Sequence, residues 1–244
     1  MSSPAEVSVL DHAPVLPVVV LEDRAAAVPL ARALVAGGLP AIEVTLRTPA
    51  ALDAIRAVAA EVPEAVVGAG TVVGARHAER AVAAGARFLV SPGCSAGLLA
   101  AMRGTGVPYL PGAATASEVL GLLEQGVTDL KFFPAEAAGG TRYLRALAGP
   151  LPAARFCPTG GITAATAPEY LALPNVACVG GTWLVPDEVL ATRDWDRVTE
   201  LARAAAGLGG VATGLGGVAG VGRAAGVGRA AGVGGRAASG GPVV

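Results

Sequence analysis

The feature that most constrains the fold is a regular alternation, over residues 1–206, of short β-branched apolar runs with longer segments rich in Ala, Leu, Glu and Arg. The strand candidates are 15–21, 41–46, 65–71, 87–93, 108–114, 129–135, 155–161 and 176–182. A helical segment follows each strand, and several of these segments end in Gly, which is favoured at helix C-termini. Eight strand-then-helix units of roughly 20 to 25 residues, with no strand left over, predict an α/β fold, a single (β/α)8 TIM barrel preceded by an N-terminal helix. An open doubly wound sheet of the flavodoxin type would not use all eight strand–helix units.

Charge and hydropathy exclude several classes of partner. The 18 basic and 19 acidic residues give a net charge of −1, so no global field attracts nucleic acid or an anionic membrane. No apolar run approaches the roughly 20 residues of a membrane span. The N-terminus lacks the basic and then apolar pattern of a secretory signal. We therefore expect a cytoplasmic protein with no nucleic-acid or membrane partner.

The last part of the chain, 207–244, has a different composition. It contains 15 glycines in 38 positions and a tandem GVGRAA repeat. Such a segment loses much backbone entropy on ordering and shows neither helix nor strand periodicity. We predict two regions, a barrel domain at 1–206 and a disordered, flexible Gly-rich tail at 207–244.

Cysteine and histidine are too scarce for metal or triad chemistry. The sequence holds only Cys94, Cys157, Cys178, His12 and His77, without C-x-x-C or H-x-x-x-H spacing. Buried reduced thiols are therefore expected, with no disulfide framework and no zinc site. Catalysis would come from other groups, and we expect no metal and no cofactor.

Lys131 is the only lysine beside 17 arginines, and it lies inside the apolar strand candidate DLKFFPA. Lysine, unlike arginine, becomes a neutral nucleophile once desolvation or a nearby cation lowers its pKa from about 10.4. Phe133 shares the alternating face with Lys131 and provides an apolar setting. The pattern predicts an amine nucleophile. The alternative is a snorkelling or salt-bridged lysine at a barrel end.

The second strand candidate carries charged residues on one face. Alternation in IEVTLRT places Glu43, Thr45 and Arg47 together. Because ionised groups are costly inside a buried strand, these residues are expected to serve a site. Glu43 suits proton transfer, and the planar fork of Arg47 suits a substrate carboxylate. The alternative is a structural ion pair between the two.

Paired glycines stand at the ends of the last two strand candidates, as Gly160 and Gly161 in PTGGI and as Gly180 and Gly181 in VGGTWL. In barrels of this type, the loops after strands seven and eight often bind phosphate through backbone amides. Thr182 adds a hydroxyl donor. The alternative is tight-turn glycine without a ligand.

A larger set of motifs carries a resemblance to a known family. They are EVTLRT at 43–48, VGAGTV at 67–72, SPG at 91–93, KFFPAE at 131–136, FCPTGGI at 156–162 and GGTWL at 180–184. In order and spacing, over roughly 8–205, the chain resembles the 2-keto-3-deoxy-6-phosphogluconate (KDPG) / 4-hydroxy-2-oxoglutarate (KHG) aldolase family. The strings KFFPAE and FCPTGGI are long and unusual, so the resemblance is specific.

The resemblance implies a metal-free class I lyase, typically a homotrimer, that splits 2-dehydro-3-deoxy-6-phosphogluconate into pyruvate and glyceraldehyde 3-phosphate in the Entner–Doudoroff route. Lys131 would form the Schiff base and Glu43 would move protons. The residues implied for the pyruvyl pocket are Arg47, Thr71, Pro92, Phe133 and Thr159. Those implied for the phosphate are Gly160, Gly161, Gly181 and Thr182, the last standing where the family often has Ser.

Three alternatives stay open at this stage. A 6-phosphogalactonate aldolase would use the same chemistry on the epimeric substrate. A phosphate-binding barrel isomerase or epimerase would use carboxylates or a metal without a covalent intermediate. A non-catalytic barrel would serve as a scaffold. Reductive trapping of a pyruvate adduct separates the aldolases from the other two.

Overall fold

The computed structural model describes residues 8–209. The predicted flexible tail therefore lies outside the described residues, apart from 207–209. The strands are β1 Val15–Val19, β2 Ala41–Thr45, β3 Val66–Gly70, β4 Leu89–Val90, β5 Tyr109–Leu110, β6 Gly112–Ala113, β7 Asp129–Phe132, β8 Arg155–Pro158 and β9 Val179–Gly181. The α-helices are α1 Ala27–Ala36, α2 Ala51–Glu61, α3 Ala75–Ala83, α4 Ala96–Gly104, α5 Ala116–Glu124, α6 Gly140–Ala148, α7 Ala167–Leu171, α8 Asp187–Thr192 and α9 Trp195–Ala206.

Every predicted strand region contains a strand, and each observed strand is shorter than its prediction. The fifth region holds two segments, β5 and β6, separated by Pro111, because proline has no N–H to donate to a sheet. Helix α8, of six residues, was not predicted. Before β1 the described residues form a 3-10 turn, Val9–Asp11, where an N-terminal helix was expected.

The strands build a curled parallel sheet. Its continuously hydrogen-bonded parts are a six-stranded one, in the order β5-β4-β3-β2-β1-β9, and a three-stranded one, in the order β6-β7-β8. The first strand pairs with both β2 and β9, so the last strand returns to the first. Bridges from Phe156 to Val176 and from Thr159 to Gly180 link β8 to the β9 region.

Two apolar clusters stabilise this arrangement. The larger lies between the strands and the helices, and the smaller lies on the other side of the strands and includes Leu16, Phe88, Leu110, Cys157 and Cys178. All five residues of β1 and of β2 are buried, because both faces of these strands are covered. The cysteines are free; Cys157 and Cys178 are buried as predicted, whereas Cys94 is only half-buried.

Helix α9 packs closely on the end of α1 at Gly37. A methyl group there would lie 2.3 Å from Ala202 Cβ and 2.9 Å from the Thr199 carbonyl oxygen. We predict that Gly37→Ala lowers the free energy of unfolding by about 1–3 kcal/mol, because this contact involves backbone that cannot rotate away. Urea unfolding measures the change.

Gly121, inside α5, is the matched control, because nothing lies within 4 Å of its would-be Cβ. There Gly→Ala is expected to stabilise the protein by about 0.5–1 kcal/mol, since alanine restricts the unfolded chain. Equal effects of the two substitutions would contradict the close α1–α9 contact.

Candidate active site

Buried polar side chains single out one place in the sheet. Among the described residues they are Glu43, Thr45, Ser91, Lys131, Thr159 and Asn175. The hydroxyl of Thr45 donates to the Val19 carbonyl, and the amide of Asn175 donates to the Leu144 carbonyl, so both serve the backbone. Glu43 and Lys131 are the two ionisable groups of this set.

Lys131 and Glu43 form an ion pair. Lys131 Nζ lies 3.1 Å from Glu43 Oε1 and 3.4 Å from Oε2. The two residues are 5% and 1% exposed. Because β7 and β2 are not neighbours in the strand order, the pair connects two separate parts of the curled sheet. Mutual pairing offsets part of the cost of burying the two charges.

The sheet makes room for Glu43 by means of a glycine. Strand β3 pairs with β2 so that Gly70 lies opposite Thr45. A Cβ on Gly70 would lie 2.1 Å from Glu43 Oε1 and 2.6 Å from Glu43 Cγ. The Glu43 carboxylate therefore occupies the space that any other residue at position 70 would fill.

The surroundings of Lys131 differ in part from the prediction. Phe133 lies beside the amine as predicted, with its ring centroid 5.5 Å from Nζ. The amine is salt-bridged, as the alternative reading had it, but Lys131 is buried within β7 and does not snorkel to the surface.

Pro92 comes close to the Lys131 strand through Gly112. Gly112 is the β6 partner of Lys131, and a Cβ on it would lie 2.3 Å from the carbonyl carbon of Pro92. The Gly112 N–H donates to the buried hydroxyl of Ser91 at 3.2 Å. Sequence reasoning quoted Ser91 within SPG but gave it no role.

Arg47 and Thr71 contact each other just beyond the ends of β2 and β3. Arg47 Nε donates to Thr71 Oγ1 at 3.2 Å, and the Arg47 side chain is exposed. Thr71 has a positive φ of 58°, which is unusual for a β-branched residue. The alternative of a structural Glu43–Arg47 ion pair is wrong, because Glu43 pairs with Lys131.

The two glycine pairs lie next to each other. Thr159 is buried, its N–H donates to the Phe132 carbonyl, and it bridges to Gly180. Gly160 and Gly161 have φ values of +106° and +81°, which glycine adopts readily. Gly181 lies against the Trp183 ring, and Thr182 is exposed between them.

Sequence reasoning missed a hydrogen-bonded pair behind the first glycine turn. The Tyr170 hydroxyl, from α7, donates to the Glu136 carboxylate. Burial, and then the hydrogen bond to Glu136, raise the pKa of Tyr170, so its hydroxyl stays protonated at neutral pH. Glu136 stands in the KFFPAE string, whereas no sequence signal marks Tyr170.

Within 8–209, no group of three or more His, Cys, Asp and Glu side chains is placed to hold a metal ion. In the same range, no helix has the length and apolar character needed to cross a membrane.

Comparison with known proteins assigns the chain first to the aldolases. The family model for KDPG and KHG aldolase matches residues 7–201. The chain is 51% identical over 204 residues to the 2-dehydro-3-deoxy-phosphogluconate aldolase of Pseudoalteromonas atlantica, covering 83% of this chain and 95% of the relative. It is 53% identical over 199 residues to the KHG/KDPG aldolase of Escherichia coli, covering 81% and 93%.

A solved structure agrees with the sequence relatives. The KDPG aldolase of Legionella pneumophila, with pyruvate captured at low pH as a covalent carbinolamine intermediate, superposes with a TM-score of 0.79. The identity is 46%, and the match covers 81% of this chain and 96% of that one. The chain belongs to the KDPG and KHG aldolase family, as its motifs predicted.

The buried ion pair leads to a prediction about stability. Removing one partner, by Lys131→Met or Glu43→Gln, leaves the other charge buried and is expected to cost about 3–5 kcal/mol of unfolding free energy. The double variant removes both charges, so it should be more stable than the sum of the single losses implies. A double-mutant cycle by urea unfolding at neutral pH measures this coupling.

The matched control is the exposed Arg197–Glu200 pair on α9, in which Arg197 Nη1 lies 2.9 Å from Glu200 Oε2. Its coupling is expected to stay below about 1 kcal/mol. A Lys131–Glu43 coupling no larger than that of the exposed pair would contradict the energetic role given to burial.

Proposed function

We propose that this protein is a class I aldolase that cleaves 2-dehydro-3-deoxy-6-phosphogluconate to pyruvate and glyceraldehyde 3-phosphate. It also cleaves 4-hydroxy-2-oxoglutarate to pyruvate and glyoxylate. The observation that carries the proposal is the buried contact of Lys131 Nζ with Glu43 at 3.1 Å, because it joins a nucleophile to a proton acceptor. The names of the relatives support the choice of substrates.

The first step forms the imine. An ammonium ion is not a nucleophile, so Lys131 first passes a proton to Glu43, which removes both buried charges together. The neutral amine attacks the keto carbon of the substrate to give a carbinolamine. Glu43 then returns its proton to the carbinolamine hydroxyl, which leaves as water, and an iminium forms on Lys131.

The second step breaks the carbon–carbon bond between C3 and C4. Glu43, again a carboxylate, accepts the proton of the C4 hydroxyl, directly or through water. The electron pair of the breaking bond moves into the iminium, so the aldehyde leaves and an enamine remains. Glu43 protonates the enamine carbon, and water hydrolyses the resulting iminium to pyruvate and the free lysine.

The pyruvyl part of the substrate is held by Arg47, Thr71, Pro92, Phe133 and Thr159. Arg47 binds the carboxylate through its guanidinium fork. The hydrogen bond from Arg47 to Thr71 supports this role, because it limits the directions that the exposed guanidinium can take. Phe133 covers the reacting carbon, and its position beside Nζ supports that placement.

The phosphate is bound by Gly160, Gly161, Gly181 and Thr182. Glycine leaves backbone amides accessible, and successive amides in turns with positive φ form anion-binding concavities. The positive φ values of Gly160 and Gly161 support this role. Thr182 contributes its hydroxyl.

The wider architecture belongs to the same proposal. The sheet closes as a (β/α)8 barrel, supported by the β1–β9 pairing, the β8–β9 bridges and the continuity of β5 with β6. The enzyme acts without a metal or another cofactor, because the iminium is itself the electron sink. It works as a homotrimer in the cytoplasm, where a phosphorylated keto acid is retained, and its catalytic domain is 1–206, with 207–244 as a tail.

Family membership also separates the alternatives. An isomerase, an epimerase or an idle scaffold gives no reason for the intact lysine–glutamate pair, whereas an aldolase requires it. The galactonate epimer remains the nearest competing substrate, and assays with both epimers decide between them.

Reductive trapping tests the chemistry. Borohydride added with pyruvate is expected to inactivate the enzyme and to attach one pyruvate-derived group to Lys131, because only an imine is reduced to a stable amine. Peptide mass spectrometry identifies the labelled residue. Trapping and cleavage should survive a chelator. Full activity of Lys131→Ala, or an adduct elsewhere, would contradict the proposal.

Truncation tests the domain boundary. A chain ending after Gly209 keeps Leu208, which packs against the core, and removes 210–244. We expect kcat, KM and the thermal midpoint to match those of the full chain, because the proposed catalytic groups precede the cut. Loss of activity in the shortened chain would show that the tail takes part in the reaction.

A further inference from the structure

The turn at Gly160 and Gly161 is held from behind by the segment that follows β7. The Ala135 N–H donates to the Thr159 carbonyl at 2.8 Å, and the Glu136 N–H donates to the Gly160 carbonyl at 3.1 Å. These two bonds continue the β7–β8 pairing past the ends of both strands. The glycine turn is thereby attached to residue 136 through its backbone.

The side chain of Glu136 supports the same turn. A Cβ on Gly161 would lie 2.6 Å from Glu136 Cγ and 2.8 Å from Glu136 Cβ, so the aliphatic stem of Glu136 lies directly against this glycine. The carboxylate ends at the hydroxyl of Tyr170. Stem and carboxylate thus have separate partners.

Tyr170 is a rigid anchor for this carboxylate. It is 1% exposed and lies in α7, the helix that follows the glycine turn. Its hydroxyl also lies close to Gly140, whose would-be Cβ would be 3.2 Å away. A buried donor with a fixed ring allows the Glu136 carboxylate few orientations.

An exposed carboxylate next to a phosphate site needs such an anchor. Glu136 is solvent-accessible, and a free carboxylate beside Gly161 would repel a phosphate dianion. We propose that Glu136 and Tyr170 are positioning residues that hold the Gly160–Gly161 turn open for the substrate phosphate and keep the Glu136 charge turned away from it. This inference rests on the proposed function and deepens it.

The test compares a substrate with a phosphate and one without. Steady-state kinetics are measured for 2-dehydro-3-deoxy-6-phosphogluconate and for 4-hydroxy-2-oxoglutarate with the wild type, Tyr170→Phe, Glu136→Ala and Glu136→Gln. Tyr170→Phe and Glu136→Ala are expected to raise KM for the phosphorylated substrate by about fivefold to tenfold, with little change in kcat. Neither should change kcat/KM for the unphosphorylated substrate by more than about twofold.

The conservative variant Glu136→Gln distinguishes a residue that positions the glycine turn from one that only stabilises the fold. This variant keeps the aliphatic stem and a carbonyl oxygen that can accept the hydrogen bond from the Tyr170 hydroxyl. Its KM values for both substrates should therefore stay near those of the wild type. Tyr109→Phe is the matched control. Tyr109 is the first residue of β5, and its hydroxyl accepts a hydrogen bond from Arg103. This control should leave the ratio of the two kcat/KM values unchanged.

Several outcomes would overturn the inference. Equal losses on both substrates in Tyr170→Phe and Glu136→Ala would indicate a general structural role. Unchanged KM for the phosphorylated substrate in both variants would show that the pair does not position the turn. Because Glu136 is exposed, its variants remain informative even if Tyr170→Phe fails to fold. A wild type that cleaves neither substrate would instead refute the proposed function.

Discussion

The structure depends on one buried electrostatic contact, between the only lysine of the chain and a glutamate on a distant strand. Either charge alone would be expensive to bury, so each residue requires the other. The proposed chemistry rests on the same contact, because a carboxylate 3.1 Å from an amine can accept its proton without a change in net charge. In the proposed enzyme, stability and reactivity therefore come from the same pair. The curl of the sheet brings β2 and β7 to face each other.

Three glycines leave the space that the residues of the site occupy. Gly70 leaves the volume that the Glu43 carboxylate occupies, and Gly112 lets the backbone of Pro92 approach β6. Gly161 receives the stem of Glu136. These glycines are structural requirements as strict as the charged residues they serve, because a methyl group at any of the three would lie within 3 Å of a neighbouring atom.

Local sequence signals predicted the strand positions and part of the site. Strand positions follow from β-branched runs, and Lys131 is conspicuous because it is unique and lies in an apolar strand. Which residue would face it is not a local property: alternation grouped Glu43 with Arg47, and it was the family resemblance that placed Glu43 in one site with Lys131, where the fold joins them. The Tyr170–Glu136 bond likewise joins residues 34 positions apart, which no local pattern relates. Pairings made by tertiary structure are what sequence patterns leave undetermined.

In the proposed reaction, Glu43 moves the protons and Lys131 is the covalent centre. The most direct measurement is the extent of pyruvate trapping by borohydride, read by intact mass, alongside the cleavage rate in Glu43→Gln. We predict that the variant reaches the same extent of labelling on Lys131, more slowly, while turnover falls by about 10²- to 10⁴-fold. Unchanged turnover in Glu43→Gln would contradict a role for Glu43 in proton transfer.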